Sequence, residues 1–194
     1  MIKRIFVLLL IVLPVLSFAQ IKYEKSFEVD SQIGLKEAEG VHYRFGVEMV
    51  NGVRFSQLFS CGVGIGFQTG KYEYEKMKGY HSLDYTVSAK NTSFIPVYFR
   101  AKLNLAKKQI SPFLAFNVGY LTDIGDTSLV NASSFLAEGN VGIDISLKEM
   151  NKLYIMLGYT SHQTQIYIWD FNHNFETIAD RNTKMISIRL GFSF

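Results

Sequence analysis

The residues of this chain that could do chemistry are four histidines, one cysteine, a run of alternating glycines and a set of charges at every second position. Ser161 and His162 set a hydroxyl beside an imidazole, the pair a hydrolase uses as nucleophile and base. Their spacing defeats that use. Adjacent residues on a strand point to opposite faces, so another serine would have to partner His162, and a polar strand end accounts for both. His42, His81, His162 and His173 show no metal-ligand spacing such as H-x-x-x-H, and Cys61 falls on an apolar parity expected to face lipid. They read as scattered surface histidines. In CGVGIGF the glycines recur every second residue, whereas a dinucleotide loop needs G-x-G-x-x-G opening a helix. Gly62, Gly64 and Gly66 therefore share one face and remove bulk there, letting long side chains from the opposite wall cross. No catalytic, cofactor-binding or metal-binding residue is expected.

The remaining charges point to architecture. Arg44, Arg100, Lys102 and Arg189, with Glu28, Asp30, Glu48, Glu138 and Asp144, lie opposite apolar faces in alternating stretches. In TKMISIRLGFSF, Ile186, Ile188, Leu190, Phe192 and Phe194 oppose Ser187, Arg189, Gly191 and Ser193, which is a strand with one apolar and one polar face. A chain ending on such a strand leaves an edge unpaired unless an earlier strand closes against it. That calls for a barrel. Seven further strands carry the same signal. Tyr23 to Ile33 is the first, Val41 to Met49 the second and Cys61 to Gln68 the third. Ile95 to Leu103 and Phe113 to Tyr120 follow, then Ser134 to Leu147 and Leu153 to Tyr159.

The first twenty residues, MIKRIFVLLLIVLPVLSFAQ, have Lys3 and Arg4, an apolar run and small residues at Ser17 and Ala19. They read as a cleavable signal, residues 1–19, leaving 20–194 as one domain. Removing Lys3 and Arg4 takes the formal charge from +3 to +1, with no basic excess to suggest nucleic acid. The composition is 48% hydrophobic with 15 Gly, 16 Phe, 11 Tyr and only 3 Pro, which favours strands. After the signal no apolar run is long enough for a spanning helix, so any membrane crossing must use a barrel. The single cysteine permits no internal disulfide.

The connections alternate in length. NGVRFSQLFS, AKKQ and KEMN are compact, while Gly70 to Asn91, Thr122 to Ser133 and Asp170 to Asn182 are long; only GLKEAEG on the long side is modest. Short turns at the periplasmic end and long loops outside are expected of an outer-membrane barrel. Tyr43, Tyr120 and Tyr159 near the long-loop end, with Tyr23, Phe192 and Phe194 near the other, would form two interfacial girdles. The balanced charges of the opposite face then line a narrow lumen and must pair across it, which would close it. A soluble lipocalin-like barrel, a small-solute pore and a lipid-modifying enzyme are the alternatives.

Together NGVRFSQLFSCGVGIGF, SPFLAFNVGY and IRLGFSF resemble the small porin-like, eight-stranded outer-membrane β-barrel domain family. The resemblance covers essentially all of residues 20–194. It implies a closed eight-stranded antiparallel up-and-down transmembrane β-barrel in the outer membrane, with lipid around it. It also implies that the last strand, ending in Phe194, is the signal read by the barrel-assembly machinery. No catalytic residue comes with the family. A structural or interaction role is expected, and segments 70–91 and 170–182, rich in Tyr, Trp, Phe and charge, are the expected contact surface for an extracellular or envelope partner.

Overall fold

The computed structural model describes residues 22–35, 40–73, 90–125, 130–131, 133–148, 151–170 and 175–194, so segment 1–19, expected to be a cleavable signal, lies outside the described residues. Eight long strands appear where the alternation placed them: β1 (Lys22–Gly34), β2 (Gly40–Arg54), β3 (Phe59–Glu73), β4 (Lys90–Asn104), β5 (Ile110–Asp123), β7 (Ser134–Lys148), β8 (Asn151–Asp170) and β9 (Phe175–Ser193). A two-residue strand, β6 (Val130–Asn131), had no sequence signal and pairs with Ile166 and Gln165 of β8. Each long strand pairs antiparallel with its chain neighbour, and β1 closes the ring on β9, from Ser26 against Ser193 to Gly34 against Met185. Backbone hydrogen bonds of 2.9 Å in both directions between Lys25 and Phe194 complete the seam. No edge of the barrel wall is left open, which is why the terminal strand needs no cover.

Burial decides which face meets what. Along β1, Phe27 and Val29 are 50% and 52% exposed while Glu28 and Asp30 are 0% and 1% exposed. The pattern repeats around the ring: Val63, Ile65, Phe99, Leu114, Phe116, Val141, Ile155, Leu157, Ile188 and Leu190 all stand exposed on the outside. A barrel with apolar residues out and ionic residues in is the reverse of a soluble ligand-binding barrel; only lipid can cover such an exterior. Tyr43, Tyr120 and Tyr159 are exposed near one end of this belt and Tyr23 and Phe194 near the other, as girdles require. Cys61 is a free thiol, half-buried, on the outward parity of Val63 and Ile65.

Two connections differ from expectation. The segment 170–182 is not a loop: β8 and β9 pair from Gln163 against Asn182 to Asp170 against Phe175, leaving only 171–174 between them. The apolar alternation that marks a spanning strand ends near Tyr159 although the ladder continues. The segment 70–91 is likewise shorter as a loop, because Tyr72 still pairs with Lys90. The compact turns hold. In the first, Ser56 Oγ accepts from Phe59 N at 3.0 Å and Phe55 stacks on Phe59 with ring centroids 5.9 Å apart. In the second, Ser111 Oγ donates to the Ala106 carbonyl at 2.7 Å.

Candidate functional site

Period-two alternation delivers one residue in two to the lumen, and among the described residues it holds five acids and five bases: Glu28, Asp30, Glu48, Glu138 and Asp144 with Arg44, Arg100, Lys102, Lys152 and Arg189, all buried. Arg189, on β9, is the centre. Its Nε lies 3.2 Å from Asp30 Oδ1, its Nη1 3.1 Å from Glu48 Oε2 and 3.6 Å from Glu28 Oε2, and its Nη2 2.7 Å from Glu138 Oε2. One guanidinium thus ties β9 to β1, β2 and β7. Arg100 reaches from β4 to pair with Glu28 on β1, and its Nε donates to Asn117 Oδ1 at 2.8 Å. Asn117 in turn donates to Glu138 at 2.8 Å. The carboxylates take further donors: Tyr98 and Gln68 for Glu48 at 2.6 and 2.7 Å, Gln68 for Asp30 at 3.0 Å, Ser187 for Glu138 at 2.8 Å, and Tyr154 for Glu28. Buried charges of this density persist only when so paired.

The network has a second storey toward the short turns. Asp144 accepts Lys102 Nζ at 2.6 Å, Lys152 Nζ at 3.3 Å and Asn104 Nδ2 at 2.8 Å. The Lys102 ammonium also lies 4.0 Å from the Phe113 ring centroid and 4.6 Å from that of Tyr154, and these two rings meet edge to face at 6.1 Å. Between the storeys Ser26, Gly62, Arg100, Lys102, Tyr154 and Ser193 border a cavity of about 40 Å³, space for a few waters. Toward the long connections Arg44 donates to Gln32 Oε1 at 2.5 Å and lies 5.4 Å over the Phe94 ring.

The glycines make room for this, in a way the sequence reading had only half right. A Cβ on Gly64 would enter the Tyr98 ring, and one on Gly191 the Tyr154 ring. The occupying rings come from neighbouring strands, β4 against β3 and β8 against β9, not from the far wall. All nine charges assigned to the inward face are there. Lys152 and Tyr154 had not been singled out, although their parity opposite Leu153 and Ile155 carried the signal.

Ser161 and His162 point apart as adjacent strand residues must: Ser161 is half-buried on the outer parity, and His162 is 2% exposed in the lumen with neither ring nitrogen hydrogen-bonded. They form no nucleophile and base pair. The side chains of His42, His81 and His173 lie outside the described residues, and among the described residues no group of three His, Cys, Asp or Glu side chains could hold a metal.

No protein-family model matches the sequence, and no curated protein does. Solved structures do. The outer membrane protein OprG from Pseudomonas aeruginosa superposes with a TM-score of 0.60 at 12% identity, over 89% of this chain and 95% of that one. Outer membrane protein AlkL, solved in lipid bilayers, gives 0.57 at 13% over 91% and 90%. Neisserial surface protein A gives 0.52 at 12% over 89% and 97%. At such identities the likeness is one of fold, and the fold is that of the eight-stranded outer-membrane β-barrels.

Proposed function

We propose that this chain is an integral outer-membrane barrel whose lumen is closed by its own side chains, and whose role is structural or an interaction made through its outer connections. The observation that carries the reading is Arg189, held by Glu28, Asp30, Glu48 and Glu138 from three other strands. An eight-stranded barrel has an interior about wide enough to be filled by side chains, and salt bridges spanning it leave an ion no unobstructed route. No catalytic step is part of the reading. Its partners are outer-membrane lipid, the assembly machinery that reads the last strand through Phe194, and an extracellular or envelope component at segments 70–91 and 170–182. Within the second segment the paired β8 and β9 carry the chain well past the last β7 and β1 pairings, at His162 and Met185. Paired strands present a more rigid surface than a loop of the same length.

Conductance tests the closure. Purified wild-type protein reconstituted in planar bilayers should give no stable channel. Reproducible conductance steps from the monomer would make a small-solute pore the better description.

A further inference from the structure

The charges of residues 20–194 divide into three zones. Among the described residues ten line the lumen, five of each sign. In the sequence, the long-connection stretches 34–43, 69–93, 121–134 and 161–185 have seven Lys and Arg against ten Asp and Glu. The short-turn end, residues 20–25, 53–59, 105–110 and 146–151, carries six against two. Among the described residues the lumen is therefore neutral, and the short-turn end carries Lys22, Lys25, Arg54, Lys107 and Lys108 against Glu24.

The positive end is also built for its place. Arg54 is engaged with Glu24 at 2.6 Å, but Lys22, Lys25, Lys107 and Lys108 are exposed. Lys25 stands on the lipid-facing parity, directly below Phe27, and its strand partner is the terminal Phe194. Its ammonium lies 5.5 Å over the Tyr23 ring, whose hydroxyl is fixed by Asn51 at 2.9 Å. Lys107 and Lys108 occupy the turn between exposed Leu105 and exposed Ile110. In each place a free cation sits at the lower edge of an apolar wall. That juxtaposition matches a molecule with a phosphate at the end of acyl chains, whereas a soluble anionic polymer would gain nothing from the wall.

We propose that the short-turn rim binds anionic phospholipid, with headgroup phosphates on Lys25 and on the Lys107 and Lys108 turn and the acyl chains on the apolar exterior above them. The proposal rests on the membrane-spanning reading and adds a lipid class and an end of the barrel to it. A basic side chain near an anionic lipid surface favours it about fivefold at moderate salt, and the three lysines together should give a preference well above tenfold.

The test is native mass spectrometry of the folded, heat-modifiable barrel in detergent, titrated with phosphatidylglycerol and separately with phosphatidylcholine. Wild type should retain phosphatidylglycerol preferentially, less so as salt rises. The K25Q/K107Q/K108Q variant should lose most of that preference, while K71Q/K184Q at the other end should keep it. A heat-modifiable wild-type barrel that retains the two lipids equally would overturn the proposal and leave the barrel reading standing. So would equal loss in both variants, or binding of peptidoglycan fragments in place of lipid. Failure of the chain to fold as a heat-modifiable barrel at all would instead overturn the membrane-spanning reading.

Discussion

Replacing Arg189 by Met keeps most of the side-chain volume and removes the charge, so it asks what the central cation contributes. Four carboxylates lose it at once. Glu28 retains Arg100 and Asp30 the nearby charge of Arg44, but the hydrogen bonds left to Asp30, Glu48 and Glu138 come from neutral donors: Gln32 and Gln68, Tyr98 and Gln68, and Asn117 and Ser187. Removing one partner from a buried ion pair costs about 3–5 kcal/mol because the other charge stays behind uncompensated. The figure here belongs at the upper end, since the guanidinium is shared. Arg100→Ala should cost less, because Glu28 still has Arg189 Nη1 at 3.6 Å. The ordering can be read by urea titration of barrels in phospholipid vesicles, following loss of the heat-modifiable band. R189M combined with Glu138→Gln should recover 1 kcal/mol or so relative to the sum of the single changes, as expected of residues in one network. The reasoning fails if R189M unfolds at the wild-type urea concentration, or if the double variant shows no coupling.

Gly64→Leu should lower the folded fraction, since the new side chain must displace the Tyr98 ring at an overpacking cost of about 1–3 kcal/mol. Gly139→Leu should be tolerated, because a Cβ there meets nothing within 4 Å; equal damage in a parallel heat-modifiability assay would contradict the lumen packing. Deleting Phe194 should reduce assembled barrel in the outer membrane far more than Ser193→Ala, as quantified on unheated gels. Protease added to intact cells should cut within 74–89 and spare 105–109 and 149–150, and fragments mapped by mass spectrometry to the short turns alone would invert the topology.

Much of the barrel was legible because lipid imposes a period. Where a strand crosses the membrane one face must be apolar, and Val41 to Met49 or Ile186 to Phe194 announce both the strand and its orientation. Beyond Tyr159 that alternation lapses, which is why Asp170 to Asn182 read as a loop although Phe175 to Asn182 pair with Gln163 to Asp170. The two-residue β6 is too short to carry any period. The lumen was legible by subtraction, since every residue opposite an apolar one must point inward. Pairing was not. Nothing in the alternation of Ile188, Arg189 and Leu190 says that Arg189 meets acids on β1, β2 and β7, because those partners are set by the stagger of closed strands.

The same geometry explains why the lumen can hold ten charges and still serve as a core. Each strand supplies inward residues at intervals of two, so a bulky ion beside a bulky ring would exceed the available width. Gly62 opposite Arg100, Gly64 opposite Tyr98, Gly66 opposite Glu48 and Gly191 opposite Tyr154 remove that conflict pair by pair. With β3 and part of β9 thinned in this way, the long side chains of β2, β4 and β8 have space to extend until they reach an opposite charge. Substituting apolar residues for the ions would fill the interior equally well and would not be less stable in principle. What ions add is direction: a guanidinium fixed to four carboxylates accepts one register of β9 against its neighbours. A slip by one residue would carry Arg189 out into lipid and Ile188 into the charged interior.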